Sequence, residues 1–224
     1  MSEKESVWER PERVEQFAHR EPDIRTMSII EGIEDAAGTR VLDLGCAAGR
    51  NTVVLAGRGF DVYALDSSQA MVAKTRERVA EILGEEEAAA RVLHGRMDDL
   101  SAFETGSFDL VLALGTYHNA RDRDEWDRAL AETARVLRPG GRVLVANFSP
   151  QCDPDGTGMQ PVEGAPGVYI AFGSERLLLL EQDELDAEMS RHGLEVAEPS
   201  TTVTKKTDAG QRVTVNALYR KRTQ

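Results

Sequence analysis

The chain has 224 residues, 41% of them hydrophobic and 29% charged, enough for one domain with one substantial core. A formal net charge of −12 argues against a nucleic-acid partner, because phosphate backbones are bound through an excess of Lys and Arg. No run approaches the roughly 18–20 consecutive apolar residues of a membrane span, and two cysteines with four scattered histidines suit neither a disulfide framework nor a structural metal. The opening "MSEKESVWERPERVEQF" is charged where a signal peptide is apolar, so the expected compartment is the cytoplasm and the expected partner a small molecule.

In chain order, residues 1–37 read as a helical cover: two helices split near Pro22, the second with Ile24, Met27, Ile30 and Ile33 or Glu34 on its turns, expected over one edge of a sheet. From 38 to 149 short apolar runs ("RVLDL", "DVYAL", "RVLHG", "FDLVLAL", "GRVLVANF") alternate with amphipathic stretches, the pattern of parallel strands and crossover helices. Ser68 is a candidate N-cap for a helix whose apolar face carries Ala70, Val72 or Ala73, Val79 and Leu83, and Glu85, Glu86 and Glu87 read as its solvated end. Trp126, Leu130, Ala134 and Leu137 mark another helix, stopped by "RPGG" at 138–141. Residues 149–173 hold four prolines and five glycines and read as an irregular insertion, a candidate lid carrying Met159, Val168, Tyr169, Ile170 and Phe172. Residues 174–224 give a helix and two antiparallel strands joined at Asp208, Ala209 and Gly210. The expected fold is one α/β domain, Rossmann-like and doubly wound, with a mostly parallel seven-stranded sheet and an antiparallel edge strand.

The most specific words are "VLDLGCAAGRN" at 41–51. A first strand that breaks into glycines and opens a helix places backbone with little side-chain bulk against a ligand over the strand tips. A dinucleotide fingerprint, G-x-G-x-x-G from Gly45, would need glycines where Ala47 and Arg50 stand, and no Lys followed by Ser or Thr makes a P-loop. What remains is D-x-G-x-A-x-G, whose acid, Asp43, would oppose a phosphate and suit a ligand with an ammonium group.

With "VYALDSSQAM", "GSFDLVLALGTYHN" and "VLRPGGRVLV" following in order, the chain resembles the class I S-adenosylmethionine-dependent methyltransferases. Its "GRNTVVLAGRGFDVYALDSS" and the tail "TVTKKTDAGQRVTVNALYRK" also look similar to small methyltransferases of the tellurite-resistance type. The resemblance implies S-adenosylmethionine as cofactor, S-adenosylhomocysteine as product and no metal. It places Asp43, Gly45, Cys46, Ala47 and Gly49 along the methionine part, Asp43 reaching the ammonium through water, with Ala47 in place of the family's middle glycine. Asp66, 17 residues after Gly49, would accept the ribose hydroxyls, with Ser67 and Met71 as backbone and packing contacts. At the adenine, Arg96 stands in the family's acid position with Met97 in the backbone role, unless Asp98 slides in by one residue. Leu114 and Gly115 would touch the cofactor near its reactive centre, and Tyr117 and His118 would face the acceptor.

Each of these residues also has a plain structural reading. Asp43 and Asp66 would cap strand ends, Cys46 would be a small buried hydrophobe, Trp126 core, and His118 polar surface. Taken together the motifs imply transfer of a methyl group to a small molecule bearing an S, O, N or chalcogen nucleophile, by in-line displacement. His118 or Tyr117 would serve as base where the acceptor must lose a proton. The rival readings are a non-catalytic S-adenosylmethionine-binding partner or regulator and a nicotinamide-dependent oxidoreductase.

Overall fold

The computed structural model describes residues 6–171 and 175–223. The chain divides into two compact units, one of residues up to Met97 with Phe108–Leu112, the other of Asp98–Ser107 with the chain from Ala113 onward.

The first unit contains helices α1 (Pro11–Ala18) and α2 (Ile24–Glu31), then β1 (Arg40–Leu44), α3 (Arg50–Gly57), β2 (Asp61–Asp66), α4 (Gln69–Leu83), α5 (Glu85–Arg91) and β3 (Val92–His94), with the first five residues of β4 (Phe108–Leu114). β1 pairs in parallel with β2 on one side and with β4 on the other, Val41 opposite Val62 and Leu110. The strand order therefore reverses at β1, and ligands in such sheets gather beyond the strand tips at the reversal. β1 is buried on both faces, as parallel strands covered by helices require.

The helical cover differs from expectation. α2 stops at Glu31, so Ile33 and Glu34 lie beyond it, and Ile24 is 81% exposed because the buried side of this short helix is Thr26 and Ile30. Nor do these residues cover a sheet edge: Val14 packs with Ala48 and Met71, against which Trp8 and Phe17 also lean, so the N-terminal segment sits over the glycine turn and the start of α4. Glu9 fixes it there, its carboxylate accepting the Gln69 and Ala70 N–H groups at 3.0 Å each, and Ser68 Oγ donates to Trp8 O at 3.1 Å. Ser68 is the N-cap as expected, accepting from Met71 N at 3.2 Å, and Val72, not Ala73, faces inward. Gly84, at φ 86°, ends α4 and starts α5. Glu85, Glu86 and Glu87 are thus the first turn of a new helix, where the helix dipole favours acids.

The second unit contains the end of β4, α6 (Arg123–Val136), β5 (Leu137–Phe148), β6 (Gln160–Pro161), β7 (Val168–Ala171), β8 (Glu175–Leu178), α7 (Gln182–Arg191), β9 (Leu194–Lys206) and β10 (Gln211–Lys221). Among the described residues seven strands pair in the order β3-β2-β1-β4-β5-β10-β9. β10 is antiparallel to both β5 and β9, which gives the expected antiparallel edge. The hairpin turn is where the sequence put it, Thr207 N donating to Gly210 O at 3.0 Å. A Cβ on Gly210 would collide with the Asp153 carbonyl, so the turn is open to glycine alone. β9 is exposed along most of its length, with Pro199, Lys205 and Lys206 on an edge that such residues blunt against pairing with other chains.

The insertion is more ordered than its prolines and glycines suggest. Gln160 and Pro161 pair with Ile170 and Tyr169, and Val168–Ala171 pairs with Glu175–Leu178, making a three-stranded antiparallel sheet that runs past the boundary expected at 173. Glycines 164 and 167, both left-handed, turn the chain between β6 and β7. Phe172 and Gly173 lie outside the described residues.

Candidate functional site

In the first unit, two strands end in acids on either side of the glycine turn. Asp43, 3% exposed near the end of β1, accepts from Thr52 Oγ1, in the first turn of α3, at 2.6 Å, so the acid stands at the head of that helix. Burial pushes its pKa up to about 6; Thr52 and the nearby Arg50 oppose that rise and Asp66 adds to it. Asp66 ends β2, accepting from Ala47 N at 2.8 Å through one oxygen and from Ser68 N at 2.9 Å through the other. Its pKa is also raised, chiefly by burial, against the pull of those N–H groups. Each carboxylate oxygen has two acceptor sites, so both oxygens of Asp66 keep one for a ligand hydroxyl while the other braces the turn.

The turn does not work as an anion cradle. Gly45 N and Cys46 N both donate to Leu65 O, at 2.8 and 3.1 Å, Ala47 N to Asp66, and Gly49 N to Cys46 O. With these donors engaged inside the protein and a carboxylate at the head of α3, a pyrophosphate would meet an acid where its site needs N–H groups. An ammonium or a ribose diol fits this donor set.

Backbone conformation explains the turn's composition. Gly45 and Gly49 have φ of 75° and 78°, and a Cβ on Gly49 would lie 2.8 Å from Thr75 Cγ2. Ala47 has φ 48°, the one non-glycine in the left-handed region among the described residues, where an L side chain costs about 1–2 kcal/mol. A glycine at this position would adopt the same left-handed conformation without that cost. Cys46 turns into the core with Ala64, Val72 and Val79, and burial raises its pKa well above the usual thiol range, so toward a ligand it offers backbone only. Met71 is 1% exposed, packed on Val14 and Ala48, a core contact and not the cofactor-facing one expected. Ser67 is exposed, and its carbonyl lies 3.0 Å from His94 Nε2. Met97 is half-buried at the end of this unit.

The remaining expected residues belong to the second unit. Asp98 takes a bond from Arg128 Nη2 of α6 at 2.9 Å, a structural ion pair. Leu114 is half-buried, and Gly115, exposed and at φ 84°, is tied through its N–H to Ala146 O at 2.8 Å. Tyr117 corrects the sequence reading: it is 0% exposed, its hydroxyl 2.7 Å from Thr133 Oγ1 of α6 and its ring edge-on to Trp126. Burial drives its pKa upward, and it is neither base nor acceptor contact. The one-turn helix 117–119 at the tip of β4 turns the tyrosine inward.

His118 is also buried, at 6% exposure, stacked on Phe148 with ring centroids 4.4 Å apart. Its Nδ1 accepts from Phe148 N at 3.2 Å. A backbone N–H only donates, so the neutral ring carries its proton on Nε2. Burial, aided by the charge of Arg212, lowers its pKa to about 4, with the Asn147 amide pulling the other way. At neutral pH the ring is therefore uncharged, with its proton on Nε2 and its one lone pair, on Nδ1, engaged by the Phe148 N–H, which leaves no free lone pair for the base role expected.

Thr52 was not singled out from the sequence, although a hydroxyl nine residues beyond Asp43 in the first turn of α3 is a detectable cap for that acid. Phe148, at the end of β5, gave no signal beyond strand composition.

The sheet order, the left-handed turn after β1 and the acids at two neighbouring strand tips define the class I S-adenosylmethionine-dependent methyltransferase fold. The comparisons agree with this fold: residues 41–141 match the family model described as a methyltransferase domain. The chain is 34% identical over 118 residues to a demethylmenaquinone methyltransferase of Clavibacter sepedonicus, covering 52% of this chain and 44% of that protein. It is 29% identical to the methyltransferase GfsG of Streptomyces halstedii over 77% of this chain and 59% of the other, so it spans about half the length of these relatives. A solved Burkholderia thailandensis 1,6-didemethyltoxoflavin N1-methyltransferase, with bound 1,6-didemethyltoxoflavin and S-adenosylhomocysteine, shares the fold with a TM-score of 0.65 at 20% identity, over 97% of this chain and 82% of that one.

Proposed function

We propose that this protein transfers a methyl group from S-adenosylmethionine to a small-molecule acceptor bearing an O, N, S or chalcogen nucleophile. The observation that carries the reading is the donor set of the turn: buried Asp43 at the head of α3, half-engaged Asp66, and turn N–H groups bonded within the protein. Asp66 receives the ribose hydroxyls, and Asp43 offsets the charge of the amino-acid part. When bound, S-adenosylmethionine supplies a sulfonium methyl that a lone pair displaces in line, so the chain's task is alignment and exclusion of water. His118 donates a hydrogen bond from Nε2 on the acceptor side, and the three-stranded sheet β6-β7-β8 shields the acceptor as a lid. The names of two of the proteins above, a demethylmenaquinone methyltransferase and a 1,6-didemethyltoxoflavin N1-methyltransferase, support a small-molecule acceptor.

Calorimetric titration with S-adenosylhomocysteine and with NAD, then transfer of labelled methyl from S-adenosylmethionine to pooled small molecules, tests this reading. Binding of the first nucleoside alone, with label transfer, is the expected result. NAD binding would install an oxidoreductase, and S-adenosylhomocysteine binding without transfer to any pool would favour a non-catalytic partner or regulator.

A further inference from the structure

At the end of β5 two uncharged polar groups lie side by side in the second unit. Asn147 is 3% exposed, and its Oδ1 has no hydrogen-bond partner among the described residues. The amide stands beside His118 and favours the charged ring, while its Oδ1 meets no donor within hydrogen-bond distance and angle. His118 Nδ1 is taken by the Phe148 N–H, so Nε2 carries a proton. A buried acceptor without a partner is costly and calls for an explanation in a ligand or a water. Gly115, exposed and without a side chain, borders this ring: a Cβ there would lie 3.9 Å from His118 Cε1, the edge shared by the two ring nitrogens.

We propose that Asn147 and His118 are a specificity-determining pair that anchors an uncharged aromatic hydroxyl group of the methyl acceptor, Asn147 Oδ1 accepting from its O–H while His118 Nε2–H donates to its oxygen. A hydroxyl both donates and accepts on one atom, which is what adjacent acceptor and donor require; a carboxylate or thiolate has no proton to give Asn147, and an ammonium has no lone pair for His118. Burial and the Arg212 guanidinium, itself 5.7 Å from the Phe148 ring, keep the imidazole neutral, so the pair presents no ionic partner. The aromatic preference comes from the surroundings: Phe148 stacks on His118 at an interplanar angle of 20° and packs with Met159 and Tyr169 against Ala171, Leu177 and Leu179. The pair orients the acceptor and takes no part in the transfer itself. Only the word acceptor rests on the methyltransferase reading.

The test follows the His118 ring by NMR in protein labelled with 15N-histidine and saturated with S-adenosylhomocysteine, using phenol and its methyl ether anisole as probes at pH 7.5. Phenol should shift the Nε2 resonance and bind more tightly than anisole. Asn147→Leu should weaken phenol about three- to tenfold, the worth of one neutral hydrogen bond, and leave anisole unchanged. S-adenosylhomocysteine affinity reports that the variant is folded. Equal binding of phenol and anisole, no response of the His118 ring at millimolar phenol, or undiminished phenol binding in folded Asn147→Leu would overturn the pair. If S-adenosylhomocysteine fails to bind the unaltered protein, the methyltransferase reading falls, while the phenol response measured without it still decides the pair.

Discussion

Asp43 couples the site to pH. Burial raises its folded-state pKa to about 6, so between the unfolded value, near 4, and 6 the folded protein holds a proton that the unfolded chain releases. Stability from this group is fully present below pH 4, declines as pH rises to 6 and is level above. Ligand binding runs the opposite way, because an ammonium favours the ionised acid: S-adenosylhomocysteine affinity should fall as pH drops below 6, by up to about tenfold per unit, with proton release. Asp66, also raised, adds to the slope. Calorimetry from pH 5 to 8 in two buffers of different ionisation enthalpy measures both effects, and Asp43→Asn should flatten the profile; an equally steep profile in that variant would remove Asp43 from the linkage. Ala47 yields a second expectation. At φ 48° its methyl group is strained where glycine is free, so Ala47→Gly should stabilise the protein by about 0.5–1 kcal/mol after the greater freedom of glycine in the unfolded chain is subtracted. A denaturant midpoint that moves down would show that the methyl contributes packing worth more than its strain.

Among the elements, the insertion departs furthest from its appearance in sequence. Proline and glycine density reads as irregular loop, yet these residues gather in turns and leave Val168–Ala171 as the central strand of a small sheet, paired on both sides. Arg123, at the start of α6, ties the β6–β7 turn to α7 by donating from Nε to Pro166 O at 3.2 Å and from Nη1 to Glu188 Oε1 at 2.9 Å. Glu188 is 7% exposed and also takes a bond from Arg191 at 3.0 Å, so removing Arg123 leaves it half-compensated. Arg123→Met should cost about 1–2 kcal/mol and speed amide exchange in 160–170, with α4 and β2 unaffected. Exchange that speeds evenly through the chain would mean that the arginine supports the fold generally and does not latch this sheet. In the unaltered protein Val168–Ala171 should exchange slowly without ligand, and the lid reading requires the adjoining 154–164 to slow only when S-adenosylhomocysteine and an acceptor are both bound.

For the whole molecule, S-adenosylhomocysteine at a hundred times its dissociation constant should add about 2.7 kcal/mol of stability. The protection from amide exchange should be strongest from 40 to 71, where Asp43, the turn and Asp66 lie, and weakest along the exposed β9. Protection greatest in β9 and β10 would place the ligand elsewhere. The parallel core, the Ser68 cap, the hairpin turn at Gly210 and the two strand-tip acids were legible in the sequence, because apolar periodicity, capping chemistry and glycine spacing are local properties of the chain. Directions of side chains beyond a strand tip were not: "GTYHN" reads as a polar mouth, but its one helical turn swings Tyr117 onto Thr133 and pins His118 to the Phe148 N–H. The N-terminal helices were visible as helices, but their place over the glycine turn depends on Glu9 meeting the head of α4, 60 residues away. Local composition thus determined the parallel core and the glycine turn, and only tertiary structure decided the order within the insertion and which polar groups were already engaged, since strand pairing, burial and hydrogen-bond partners arise from residues remote in sequence.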